Sequence, residues 1–118
     1  MTYNVIYLAG RMSDREKHST LVFDGVRIDI KQVVSGTKIK DFAINVSILL
    51  GRERRDVFRV DTAHGYLHMQ KFWISDRPEK LQDKRKKDYK GDFGNWKDKV
   101  LKNYQEYIKL YKKKFGLR

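Results

Sequence analysis

Apolar and polar positions alternate with a period of two over much of residues 20–73, and with a helical period over the last part of the chain. Tyr3 to Leu8 is apolar enough for a strand. Arg11 to Ser19 is polar and predicts a loop or a short helical turn, with Ser13 placed as an N-cap. Asp24-Gly25 then separates Thr20–Phe23 from Val26–Ile30, a strong short-range hairpin signal because both turn positions need φ > 0. A two-residue turn pairs Phe23 with Val26 and Leu21 with Ile28, so Leu21, Phe23, Val26, Ile28 and Ile30 share a face. After the Ser35-Gly36-Thr37 turn, Phe42, Ile44, Val46, Ile48 and Leu50 alternate with Ala43, Asn45, Ser47 and Leu49 in a long strand, roughly Ile39 to Leu50. Asp56 to Asp61 and Tyr66 to Trp73 form a second hairpin around a loop at 62–65. Short successive connections imply an antiparallel meander.

Residues 74–94 read as a basic linker, with the only proline, Pro78, and punctuation at Gly91 and Gly94. Beyond it, Trp96, Val100, Leu101, Tyr104, Tyr107, Ile108, Tyr111 and Phe115 recur at helical spacing. Asn95 can cap this helix, Asp98 suits its first turn, Lys112 to Lys114 suit the negative end of its dipole, and Gly116 is placed as a stop. The aromatic stripe is the face that packs on the sheet, which leaves Lys97, Lys99, Lys102 and Lys109 outward. The fold class is therefore α+β: a single domain with sheet over residues 1–73, linker over 74–94 and helix over 95–115. The sheet is expected to be an antiparallel meander of five or six strands.

Composition adds a strong asymmetry. The 118 residues carry a formal charge of +12, with 12 basic and 9 acidic residues up to Asp76 and 15 basic and 6 acidic after it. The C-terminal third thus holds most of the excess, which points to an anionic partner or to a solubilising surface. Lys84, Arg85, Lys86, Lys87 and Lys90 surround Tyr89, a basic and aromatic mixture that can track a nucleic-acid backbone. There is no cysteine, which excludes disulfides, thiolate nucleophiles and cysteine-ligated zinc. No apolar run approaches the ~20 residues that span a bilayer, and the N-terminus has no basic stretch before its apolar segment. A cytoplasmic setting without a membrane partner is the expectation.

The second hairpin concentrates the candidate chemistry. A loop at 62–65 pairs Asp61 with Tyr66, Arg59 with His68 and Val57 with Gln70, leaving Phe58, Val60, Leu67 and Met69 for the core. Arg59, Asp61, Tyr66 and His68 then share a face, with His64 at the loop tip. Three readings follow. Asp61 can orient an imidazole, His64 or His68 can move a proton, and Arg59 can bind a phosphate, as in phosphodiester cleavage. Two histidines and a carboxylate can hold a divalent metal. Or the residues are cross-strand polar pairs, with Asp61 and Thr62 capping the turn and His64-Gly65 supplying a left-handed position.

Arg59-Val60-Asp61-Thr62-Ala63-His64-Gly65-Tyr66-Leu67-His68 resembles a segment of the small proteins grouped as domain of unknown function 7718. That family has a DTAHG core and a C-terminal helix with aromatic residues, here Asn103-Tyr104-Gln105-Glu106-Tyr107. The order of elements more loosely resembles the TumE-like toxins, formerly domain of unknown function 6516. The first resemblance implies no activity. The second implies a prokaryotic toxin with a cognate antitoxin protein, with Arg59, Asp61, His64 and His68 as the matching site. Thr62 stands where the toxins have Asn, their His-rich stretch is reduced to His68, and the basic stretch Lys80–Lys90 is added.

The leading expectation is an RNA-directed small protein with ribonuclease-like, metal-independent acid–base chemistry at Arg59, Asp61, His64 and His68, requiring no cofactor. In it, Lys84, Arg85, Lys86, Lys87 and Lys90 supply phosphate attraction. The alternative is a non-enzymatic nucleic-acid-binding or protein-interaction module in which the hairpin cluster is structural. Free sheet edges are compatible with a homodimer.

Overall fold

The computed structural model describes residues 2–8, by their backbone, and 14–118. The described chain forms one antiparallel sheet in strict sequence order, backed by a single long helix. The strands are β1 (Thr2–Leu8), β2 (Asp14–Phe23), β3 (Val26–Ser35), β4 (Lys38–Leu50), β5 (Glu53–Asp61), β6 (His68–Lys71) and the two-residue β7 (Glu79–Lys80), and the helix α1 is Lys90–Lys114. This is the expected α+β meander, with six strands of four residues or more and a short seventh at the edge.

The Asp24-Gly25 turn has φ of 49° and 77° at its two residues, and it sets Phe23 opposite Val26 and Leu21 opposite Ile28, as the sequence predicts. Phe42, Ile44, Val46 and Ile48 of β4 are buried with Ile28, Ile30, Phe58 and Val60, which form the floor of the core. A bulge between Val46 and Ser47 lets Asp56 and Phe58 pair with β4 while Val57 between them is unpaired, and both Val57 and Phe58 are fully buried.

Helix α1 lays its apolar stripe on this floor. Tyr107 stacks on Phe58 at 4.5 Å between ring centroids, and Trp73 stacks on the same tyrosine at 5.7 Å. Phe93 meets Phe42 edge-on at 5.4 Å, and Tyr104 meets Phe23 at 5.4 Å. Burial pushes the Tyr107 phenol above its ordinary value of 10.0. Leu101 and Phe115, although in phase with the stripe, remain exposed. The helix ends as expected at Gly116: its N–H reaches Lys113 O, and Leu117 N–H reaches Lys112 O at 2.7 Å, which closes the last turn.

Three expectations need correction. Residues 14–19 are strand, not loop, because β2 runs back to Asp14 between β1 and β3. Its polar side chains are mostly half-buried, so the ladder rather than an apolar stripe holds this stretch. Ser13, the expected cap, lies outside the described residues. The helix starts at Lys90 rather than Asn95, with Asp92 in its first turn and no capping bond from the side chain of Tyr89 at its N-cap, and Gly91 and Gly94 lie inside it. Its start is fixed by tertiary burial: Tyr89 is fully buried and Phe93 nearly so. The hairpin register of β5 with β6 is displaced by two residues, as described below.

Phe58 carries the aromatic contact between sheet and helix. Phe58→Ala should lower the unfolding free energy by about 3–5 kcal/mol in chemical denaturation. A loss below about 1 kcal/mol would mean that the helix is held by other contacts.

Candidate functional site

The first strand pair of the site is β5 and β6. Asp61 faces His68, Arg59 faces Gln70, and Val60 faces Met69. The predicted pairs were Asp61 with Tyr66 and Arg59 with His68. The displacement is even, so the same residues keep the same face. It arises because the connection runs from Thr62 to Leu67. Thr62 is tied to β4, Ala63–Gly65 forms a 3-10 turn, and Leu67 turns into the core. Gly65 sits at φ 87°, a left-handed conformation that glycine adopts without strain.

Asp61 is the hub of the cluster. Its buried carboxylate accepts from the Ala63 N–H at 3.0 Å and lies 2.7 Å from His68 Nε2, both at Oδ1, and it accepts from Arg59 Nε at Oδ2. His68 is also buried, and its Nδ1 lies 3.1 Å from the Tyr66 carbonyl oxygen. Both ring nitrogens therefore face acceptor oxygens, which fixes the orientation of the ring. Arg59 differs: its side chain is 45% exposed, and only its Nε has a partner among the described residues. The structure thus brings Arg59, Asp61 and His68 together. The side chain of His64 lies outside the described residues, although its backbone is part of the 3-10 turn. Among the described residues, no three His, Asp or Glu side chains are grouped to hold a metal ion.

Thr62 extends the network into β4. Its hydroxyl accepts from Phe42 N–H at 3.0 Å and donates to Asp41 Oδ1 at 3.0 Å, while Thr62 N–H donates to Phe42 O. Asp41 Oδ1 also accepts from Arg85 Nη2 at 2.8 Å, and the same nitrogen reaches Lys40 O at 2.7 Å. The basic stretch expected as a linker is therefore a strap across the start of β4. Tyr89 N–H donates to Ile39 O at 2.8 Å. Asp88 Oδ1 accepts from Ile39 N–H at 3.1 Å and Lys90 N–H at 3.0 Å. Those two N–H groups, Ile39 first, hold the Asp88 carboxyl below its ordinary value of 3.8, and the Lys90 and Lys38 charges add to the effect.

Two clefts result, and Arg85 lines both. One, of about 380 Å³, lies on the sheet face away from the helix, with Lys31, Arg59 and Arg85 around Val33, Ala43 and Ala63. The other, of about 330 Å³, is lined by Ser35, Lys38, Lys40, Arg85, Lys86 and Lys87. Lys40, Arg85 and Lys86 are paired with Asp14, Asp41 and Asp92, at 3.5, 2.8 and 2.9 Å. Lys38 and Lys87 have no carboxylate in ion-pair range among the described residues. A third and smaller cleft, of about 260 Å³, touches Arg59, Asp61 and His68 from the β6 side. Of the predicted basic residues, Arg85, Lys86 and Lys87 line the second cleft, while Lys84 and Lys90 are exposed outside it. Lys31, Lys38 and Lys40 were missed. Lys38 and Lys40 flank Ile39 at the strand start, and nothing local marks them; the strap, more than 40 residues on, brings their partners.

Against known proteins, the sequence model of a family described as a domain of unknown function (DUF7718) matches residues 12–117. No curated protein and no solved structure matches the chain. Among the described residues, no helix is long and apolar enough to cross a membrane.

Removing the hub strands a buried ring. Asp61→Ala should cost about 3 kcal/mol of stability, as for loss of one partner of a buried pair. Arg59→Ala, whose head reaches water, should cost less than about 1 kcal/mol. Equal losses in denaturant titrations would refute the hub role. Asp88 gives a pH signature. Its folded value lies below its unfolded one, so its contribution is complete above pH 3.8 and disappears as pH falls through the folded value. Asp88→Asn should therefore be less stable than the parent protein at neutral pH, with a difference that shrinks below pH 3.8. A difference independent of pH would overturn this assignment.

Proposed function

We propose that this chain, which belongs to the DUF7718 family, is a non-enzymatic protein that binds single-stranded nucleic acid along the two clefts meeting at Arg85. The observation that carries the reading is the second cleft, where five basic side chains from β4 and the strap converge beside the Ser35 hydroxyl. Two of the five have no carboxylate partner among the described residues, so the cleft keeps a positive excess after its ion pairs are counted. On the sheet face Lys31, Arg59 and Arg85 are each paired with a carboxylate, of Glu16, Asp61 and Asp41, so that cleft offers oriented cations rather than a positive excess. Phosphate groups of a flexible strand are the common anions that such a row of cations attracts. The hairpin cluster then has a positioning role: Asp61 fixes Arg59, and Thr62 with Asp41 fixes Arg85.

A ribonuclease-like toxin at Arg59, Asp61, His64 and His68, held in check by an antitoxin protein, is the second reading. The 2.7 Å contact of Asp61 with His68 favours it, since a carboxylate that orients an imidazole is the arrangement acid–base cleavage uses. It ranks below the first because His68 is 8% exposed and both of its nitrogens face protein acceptors, which leaves no open position for a substrate proton.

Fluorescence anisotropy with a labelled ten-nucleotide RNA tests both. Affinity should fall steeply with salt, with a log–log slope of roughly −0.7 per phosphate contacted. The double variant Lys38→Ala/Lys87→Ala should flatten that slope by about 1.4, twice the single-contact value. The double variant Lys97→Ala/Lys109→Ala removes the same charge from the helix surface and should change it little. A salt-independent signal, or equal effects of the two variants, would overturn the binding reading. RNA cleavage that His68→Ala abolishes would replace it with the ribonuclease reading.

A further inference from the structure

The two clefts differ in chemistry, and the difference bears on which part of a strand each takes. The cleft on the sheet face has apolar surface from Val33, Ala43 and Ala63 between its cations, with Asp41 and Asp61 lining it where they pair with Arg85 and Arg59. At about 380 Å³ it falls in the size range of small-molecule sites, roughly 300–1,000 Å³. Arg59 is a planar cation whose Nε is pinned by Asp61, so one flat side chain is held in place at this cleft. A planar guanidinium stacks on bases as well as pairing with phosphates. The second cleft is lined by Ser35 and five cations. Lys38 and Lys87 have no carboxylate in ion-pair range among the described residues, and of the two only Lys38 has its charge partly offset, by Asp88. An internal phosphodiester brings one negative charge. A terminal phosphomonoester brings between about 1.5 and 2 near neutral pH, and three acceptor oxygens.

From this match we infer that the paired clefts recognise a phosphorylated strand end: the terminal phosphate in the Lys38–Lys87 cleft, and the nucleoside that bears it in the Arg59 cleft. Arg85 lines both and spans the junction between phosphate and sugar. Its Nη2 is anchored on Lys40 O and Asp41, its guanidinium lies 5.9 Å from the centre of the Tyr89 ring, and its other nitrogens have no hydrogen-bond partner among the described residues. The inference rests on the nucleic-acid reading above and narrows it to a substrate class.

The test uses the full chain and three RNA ten-mers of one sequence: 5′-phosphorylated, 3′-phosphorylated, and hydroxylated at both ends. One phosphorylated strand should bind at least roughly tenfold more tightly than the hydroxylated strand at the same salt. Which one it is reports the polarity of the site. Lys38→Ala/Lys87→Ala should abolish the preference, whereas Arg59→Ala should weaken all three strands and keep it. A nucleoside monophosphate should compete for the site better than the free nucleoside. If all three strands bind equally and with a steep salt dependence, end recognition is wrong and the binding reading stands. If none binds, the binding reading falls with it. A preference that survives in Lys38→Ala/Lys87→Ala would place the phosphate elsewhere and overturn the assignment of the cleft.

Discussion

A mismatch in strand length governs the arrangement of this protein. Strand β4 runs from Lys38 to Leu50, but β5 pairs with it only from Ala43 onward. Residues 39–42 therefore overhang, with backbone groups on the β5 side that have no ladder partner. Buried backbone groups must be paired, so the overhang has to be covered by something other than a strand. Two parts of the chain cover it. Thr62 exchanges hydrogen bonds with both backbone groups of Phe42. Asp88 and Tyr89 take the two backbone groups of Ile39, and Arg85 takes the carbonyl of Lys40. The course of the strap, the start of the helix and the placing of the basic side chains all follow from meeting that requirement.

The same requirement explains why the carboxylates are where they are. Asp61, Asp41 and Asp88 each spend their oxygens on backbone N–H groups or on side chains that serve the overhang and its turn. They hold cations in place without cancelling them all. Arg59 and Arg85 are each fixed through one nitrogen, which orients the guanidinium and leaves the rest of it facing a cleft. The polar cluster of the hairpin and the basic stretch, separate in sequence, are in this sense one construction joined through Thr62 and Asp41.

Much of this fold could be read directly from residue patterns. The Asp24-Gly25 turn, the alternation in β4 and the aromatic stripe of α1 each specify an element through local geometry and burial. The association of Arg59, Asp61 and His68 was legible too, because an even displacement of register preserves the face. What escaped depends on contacts distant in sequence. Residues 14–19 are polar, and only their two neighbouring strands make them a strand. The start of α1 is set by burial of Tyr89 and Phe93 against Phe42 and by Asp88, whose carboxylate joins the Lys90 N–H to that of Ile39, not by Asn95. Lys38 and Lys40 become part of a cleft only because the strap returns to them.

That return has a consequence for how the molecule breathes. Every ladder of the sheet joins strands that follow one another, so each closes a short loop at small entropic cost. The strap contacts are different: Asp88 reaches Ile39 across 49 residues, and Arg85 reaches Asp41 across 44. Between β7 and Tyr89 the strap is mostly exposed, the kind of segment in which local opening begins. Lifting would carry Arg85, Lys86 and Lys87 away from Lys38 and Lys40 and dissolve both clefts at once.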